Sequence, residues 1–295
     1  MRHFLAIHDL SAAEVDRLLG RAVELKAARA RGETSMALRG KTLALMFEKA
    51  STRTRVSFAV AMTELGGSSV YLEPSRGEPH EDMARVLSRY CHGIVLRTFS
   101  QDTAELYARH VTVPVINGLS DLQHPCQVLA DLLTVREKRG RLAGLSFAWV
   151  GDGSNVANSW VDAAGLLGLR LRVACPEGFA PHRTALERGG GSVDLLRRPA
   201  DAVAGADVVI TDTWTSMGQE AERASRLQAF AGYTVDAALL ERAAPDAIVM
   251  HCLPAHRGEE ITDEVIEGPR SVVFDEAENR LHVQKALLEM LLGAA

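Results

Sequence analysis

Along the chain, apolar positions alternate between two periods. Ser11-Ala12-Ala13-Glu14 reads as a capping box, and Val15, Leu18, Leu19, Ala22 and Leu25 then recur on one helical face, which predicts an amphipathic helix ending before Gly32. Short apolar runs follow at 42–47, 69–72, 93–97 and 113–117, separated by helical patterns that include 82–90 and 103–109. A longer helix is expected from about 125 to 138, stopped by Gly140. A second series of short apolar runs then begins at 145–150, 171–174, 193–196, 208–211 and 248–252, and the chain closes on a helical pattern at 283–292.

Strands alternating with helices in two successive series predict an α/β fold of two domains, each with a mostly parallel sheet flanked by helices. The basic, glycine-containing stretch 139–144 places the boundary, giving domains 1–139 and 140–280, with the C-terminal helix 281–295 packing back on the first. In sheets of this kind ligands bind beyond the carboxyl ends of the strands. The residues just after each strand are therefore the candidates for chemistry, with an active site expected in the cleft between the domains.

Composition narrows the partners. The chain has 295 residues, 47% hydrophobic and 24% charged, as in soluble globular proteins. Its net charge of -5, from 38 acidic against 33 basic residues, argues against nucleic acid or an anionic membrane surface as a partner. No apolar run approaches the roughly 18 residues of a membrane span. Cys91, Cys126, Cys175 and Cys252 lie far apart without CxxC spacing, and no secretory segment precedes them, so a reduced, cytoplasmic setting is expected.

Five polar clusters follow the strands. Ser51-Thr52-Arg53-Thr54-Arg55 opens a helix after the first strand, where backbone amides, hydroxyls and guanidinium forks suit a phosphate-like anion; two solvated arginines at a polar helix start fit the same pattern. Arg97 ends the third strand. After the fourth, and an Asn117-Gly118 turn, comes His124-Pro125-Cys126-Gln127, where Pro125 marks a first helical turn and His124 is either a cap or a donor to a carbonyl oxygen. Gly151-Asp152-Gly153-Ser154-Asn155 contains a GxG, but position six of a dinucleotide fingerprint is Val156 and no acidic residue ends the next strand. Asp212, in Asp212-Thr213-Trp214-Thr215-Ser216-Met217-Gly218, suits an ammonium group or a cap. Cys252, in His251-Cys252-Leu253-Pro254, is either a buried inert thiol or one near substrate. No metal is expected on His251, Cys252 and His256, because adjacent strand residues point to opposite faces and zinc-like spacing is absent. Glu276-Ala277-Glu278-Asn279-Arg280 precedes the last predicted helix, leaving Arg280 able to swing toward an anion.

STRTR, HPCQ, DTWTSMGQ, HCLPA and AENR, in that order across nearly the whole chain, resemble the aspartate/ornithine carbamoyltransferase family, and DTWTSMG and HCLP look like its ornithine branch. The resemblance implies transfer of a carbamoyl group from carbamoyl phosphate to the δ-amine of L-ornithine, giving L-citrulline and phosphate, with no cofactor and no metal. It implies that Ser51, Thr52, Arg53 and Thr54 hold the phosphate, that Arg97 bridges phosphate and carbonyl oxygen, and that His124 and Gln127 bind the carbamoyl group, on which Arg280 closes. Cys252 and Leu253 line the reacting centre, while Asn155, Asp212, Ser216 and Met217 bind ornithine, with Asp212 and Cys252 near the attacking amine. It also implies arginine biosynthesis and a homotrimer or a multiple of trimers.

One stretch departs from the family pattern. Residues 72–81, LEPSRGEPHE, are shorter than the usual loop that reaches a neighbouring subunit's carbamoyl phosphate, and Met83 stands where a Thr is usual. Either Arg76 or His80 takes over that role, or carbamoyl phosphate is held more weakly. Putrescine or an N-acylated ornithine are alternative acceptors; a nicotinamide-dependent dehydrogenase and a non-catalytic anion-binding homologue are the readings from other classes.

Overall fold

Each apolar run becomes a strand. The computed structural model describes residues 2–73, 77–215 and 220–293. Backbone proximity divides the chain into two units, Met1–Leu133 with Glu278–Ala295, and Thr134–Ala277.

The first unit opens with α1 (Ala12–Ala30), where Ser11 Oγ accepts from Glu14 N and Glu14 Oε2 accepts from Ser11 N at 2.8 Å, the reciprocal capping box read from the sequence. The elements β1 (Thr42–Phe47), α2 (Thr52–Glu64), β2 (Ser68–Leu72), α3 (His80–Tyr90), β3 (Gly93–Arg97), α4 (Gln101–His110), β4 (Val115–Leu119) and α5 (Pro125–Arg139) follow. The strands form a parallel sheet in the order β2-β1-β3-β4. Ala44, Met46, Ile94, Leu96, Tyr107 and Val115 pack into one buried cluster, whereas β2, at the sheet edge, is exposed or half-buried throughout. Strand order reverses between β1 and β3, so the loops after those two strands part and leave a crevice at their carboxyl ends.

β4 departs from expectation. It is shifted two residues onward, so Asn117 and Gly118 lie inside the strand rather than in a turn. Leu96 pairs with Asn117 and Arg97 with Leu119, which leaves Gly118 as the extra residue of an irregularity. A Cβ at Gly118 would lie 3.1 Å from Val95 Cγ1 and 3.3 Å from the Leu96 carbonyl, so the glycine answers to close approach of β3. Asn117 is fully buried and its Nδ2 donates to Leu5 O, Gln101 Oε1 and Ser120 Oγ.

The second unit comprises β5 (Ser146–Val150), α6 (Asn155–Leu167), β6 (Arg170–Ala174), α7 (Arg183–Gly189), β7 (Val193–Leu196), α8 (Pro199–Val203), β8 (Val208–Thr211), α9 (Arg223–Ala229), α10 (Ala237–Leu240), β9 (Ile248–His251) and α11 (Asp263–Ile266), and the chain ends on α12 (Val273–Leu292). Its sheet is parallel in the order β7-β6-β5-β8-β9, with the reversal between β5 and β8. Its core includes Val150, Val209, Trp214, Phe230 and Val249. Both units thus place their site loops where strand order turns: those after β1 and β3 in the first, those after β5 and β8 in the second.

α12 starts ten residues before the expected 283, and Glu276–Arg280 lies within its first turns instead of preceding it. The apolar period is interrupted there by buried polar residues, Glu276, Asn279, Arg280 and His282, which hide that part of the helix from a hydrophobicity reading. Among the described residues no helix is long and apolar enough to cross a membrane, and the four cysteines are free.

Candidate active site

In the first unit, Ser51 caps α2 by accepting from Thr54 N at 3.3 Å. The remaining amides of that first turn point outward with the positive end of the helix, a natural seat for an anion. Thr52 and Arg53 are exposed there and Thr54 is buried. Glu48 Oε2 accepts from Thr98 Oγ1 at 2.6 Å and from Phe99 N at 3.0 Å, joining the ends of β1 and β3. Arg55 is separate from the cluster, its guanidinium 4.5 Å above the Tyr71 ring.

Arg280 does not need to swing. From within α12 its buried guanidinium donates to Thr54 Oγ1 at 2.8 Å and to Gln127 Oε1, and Gln127 Nε2 donates in turn to Asp131 Oδ1 at 2.8 Å. Asp131, one turn beyond Gln127 on α5, was missed by the sequence reading, although its four-residue spacing was visible. Arg97 is buried at the end of β3. Burial holds the His124 imidazole well below its usual pKa, and the Arg280, Arg97 and Arg53 guanidiniums push it lower. Three cations therefore converge on a neutral histidine. Burial also pushes the neighbouring Cys126 thiol up to about 12, so this thiol is inert.

The state of His124 carries a pH prediction. The unfolded chain takes up its histidine proton near pH 6.5, whereas folded His124 resists it, so unfolding binds a proton below that pH. Its share of stability is whole above about pH 6.5 and drains as the pH falls. Urea unfolding of the unaltered chain and His124→Gln at pH 7, 6 and 5 should show the difference between them shifting in favour of the variant as pH falls. A difference constant across that range would contradict a neutral His124.

In the second unit, the loop after β5 leads to Asn155 at the start of α6, with Ser154 as N-cap. Its glycines serve the chain's own packing. Gly151 has φ 134°, and a Cβ at Gly153 would lie 2.2 Å from Pro181 N, in the space that a dinucleotide fingerprint leaves open for a pyrophosphate. Asp212 follows β8 and is buried; its Oδ1 accepts from Thr213 N at 2.7 Å and from the Cys252 thiol at 3.1 Å. Cys252 is part-exposed, so it is not a core thiol. Leu253 has φ 55° and donates its N–H to His251 Nδ1 at 2.9 Å. His251 Nε2 then carries the ring proton and meets Glu260 Oε1 at 3.0 Å.

Strand alternation put His251 and Cys252 on opposite faces, yet donor atoms of Asp212, His251 and Cys252 fall within 4.8 Å of one another, because Cys252 lies beyond the end of β9. Both ring nitrogens of His251 are already engaged in hydrogen bonds. Ser216 and Met217 lie outside the described residues, as does Arg76. His80 opens α3 with Nε2 3.8 Å from Glu48 Oε1.

An anion cradle on one unit and a carboxylate beside a thiol on the other describe a group-transfer enzyme with an anionic donor and a cationic acceptor. The chain belongs to the aspartate/ornithine carbamoyltransferase family: residues 2–137 match the family's carbamoyl-P binding domain and residues 143–291 its Asp/Orn binding domain. It is 54% identical over 301 residues to an ornithine carbamoyltransferase of Pelobacter propionicus and 55% identical over 298 residues to one of Methylococcus capsulatus, with 99% of each chain covered in both cases. The solved structure of ornithine carbamoyltransferase from Pyrococcus furiosus aligns with a TM-score of 0.96 at 47% identity, covering 100% of this chain and 98% of that one.

Proposed function

We propose that the chain transfers the carbamoyl group of carbamoyl phosphate to the δ-amine of L-ornithine, releasing L-citrulline and inorganic phosphate. The observation that carries this reading is the buried Arg280 guanidinium bonded to both Thr54 of the α2 turn and Gln127 of the α5 turn, beside a buried His124 that Arg280, Arg97 and Arg53 keep from taking up a proton. Such a set holds a phosphate through cations and helix amides, while leaving an uncharged imidazole to donate toward a carbonyl. Ser51, Thr52, Arg53 and Thr54 grip the phosphate, and Gln127, anchored by Asp131, takes the carbamoyl group.

The reacting amine must be neutral, and a desolvated site favours that form. Attack forms the new C–N bond and places negative charge on the carbonyl oxygen, where Arg97, Thr54 and His124 stabilise it. Collapse breaks the C–O bond to the phosphate already held at α2, and the nitrogen sheds its proton. Asn155 and Asp212 hold ornithine, with Asp212 and the Cys252 thiol near the amine; Ser216 and Met217 complete that set. Much of the remaining acceleration comes from presenting two substrates in one geometry.

The same reading takes the first unit, with the C-terminal helix, as the carbamoyl phosphate domain and the second as the ornithine domain. It also carries a cytoplasmic homotrimer, or a multiple of one, acting in arginine biosynthesis. Exposed Tyr90 and Phe99 on the first unit are apolar surface suited to a subunit contact. The deciding experiment offers carbamoyl phosphate with ornithine, putrescine, N-acetylornithine and aspartate in parallel. Citrulline from ornithine alone is the expected result; no transfer by a folded protein, or preference for another acceptor, overturns it.

A further inference from the structure

We propose that Arg226 is a positioning residue for ornithine, clasping together the two segments that carry Asp212 and Asn155. The inference rests on the ornithine reading above.

Arg226 lies on α9 and is only 6% exposed. Its Nε donates to the Trp214 carbonyl, its Nη2 to Asp152 Oδ2 and its Nη1 to Glu222 Oε2 at 3.3 Å. Trp214 comes two residues after Asp212, and Asp152 three residues before Asn155. One guanidinium therefore fixes the loop after β8 to the loop after β5, at the point where strand order reverses. Its planar faces are packed as well: it lies 4.9 Å from the centre of the Phe179 ring and 5.8 Å from that of Phe230, and Phe230 stacks on Trp214 at 5.3 Å.

The arrangement is ill suited to stability alone. Burial pushes the Asp152 carboxyl up to about 7 against the pull of Arg226, and the Asp212 and Glu222 carboxylates push it the same way. Arg226 is thus the cation paired with Asp152 and Glu222, and Asp152 in turn feels the charge of Asp212. Buried ion pairs are frequently no more stabilising than apolar groups of the same size, whereas they do fix register. Placed here, the fork sets where Asp212 and Asn155 stand. The residues proposed to bind carbamoyl phosphate belong to the first unit apart from Cys252 and Leu253, and none of them is bonded to Arg226 in the pattern above.

The test measures steady-state KM for ornithine and for carbamoyl phosphate separately in Arg226→Met, Arg226→Lys and Asp152→Asn, beside thermal melts. Because a misplacement of about 1 Å is worth about 100-fold in rate, Arg226→Met should raise the ornithine KM by about 10-fold or more and leave that for carbamoyl phosphate within about 2-fold. Arg226→Lys, which cannot span both acceptors, should recover part of the loss, and Asp152→Asn, of the same shape, should show a smaller rise of the same kind. A folded Arg226→Met with unchanged ornithine KM, or an equal rise in both constants, overturns the clasp. Should the Met variant not fold, the Lys and Asn variants decide by the same split. Failure of the unaltered chain to carbamoylate ornithine removes the substrate reading and the clasp with it, an outcome distinct from a working enzyme whose variants behave normally.

Discussion

Arg53→Ala is expected to lose carbamoyl phosphate binding while the protein keeps its fold. The side chain is exposed at the first turn of α2, so its removal opens no cavity. What disappears is a planar fork beside helix amides whose charge reaches as far as His124. A charge-assisted contact of this kind is worth about 2.7–4 kcal/mol in the transition state, so kcat/KM should fall about 10² to 10³-fold. Binding has a direct readout. Carbamoyl phosphate at about 100 times its Kd stabilises the unaltered protein by ~2.7 kcal/mol and raises its melting temperature, whereas the variant should melt at one temperature with and without ligand. Arg55→Ala is the control: its guanidinium sits over Tyr71, and its loss should leave the ligand-induced shift in place. An Arg53→Ala protein that still gains the full shift removes Arg53 from the phosphate site.

The difference between these two arginines shows what the sequence makes legible. Apolar runs that stop abruptly at Phe47, Arg97, Val150 and Thr211 locate the strand ends, and the sites of a parallel sheet follow from strand ends without knowledge of any contact. The capping box at Ser11 is equally local and equally legible. Arg280 was named from its motif, but its place inside a helix was not legible, because Glu276, Asn279 and His282 are polar yet buried on α12 and break the apolar period that would have announced the helix. Its partners Thr54 and Gln127 are distant in the chain, and only the fold reveals that they are joined. Asn117-Gly118 has the composition of a turn, but packing against Val95 put it inside a strand. The Arg226–Asp152 pair is 74 residues apart and carries no local signature at all. Period and punctuation report elements; long-range polar pairing has to be seen.

Asp212→Asn should produce the complementary loss on the second unit. Asp212 is buried, and its Oδ1 already accepts from Thr213 N and the Cys252 thiol, so an asparagine of the same shape can retain the backbone bond. What the substitution removes is the negative charge proposed to face the ammonium group of ornithine. Losing one partner of a desolvated charged contact costs about 2–4 kcal/mol, which corresponds to about 30- to 10³-fold in kcat/KM for ornithine. Binding of carbamoyl phosphate alone, followed by its thermal shift, should be unchanged, because Asp212 belongs to the other half of the chemistry. Arg53→Ala and Asp212→Asn therefore form a crossed pair: the first removes the donor's response and the second the acceptor's. Measuring both variants against both substrates tests the division of labour between the units in one design. A uniform fall in all four responses would mean that these residues maintain structure; the crossed pattern would mean that each holds its own substrate.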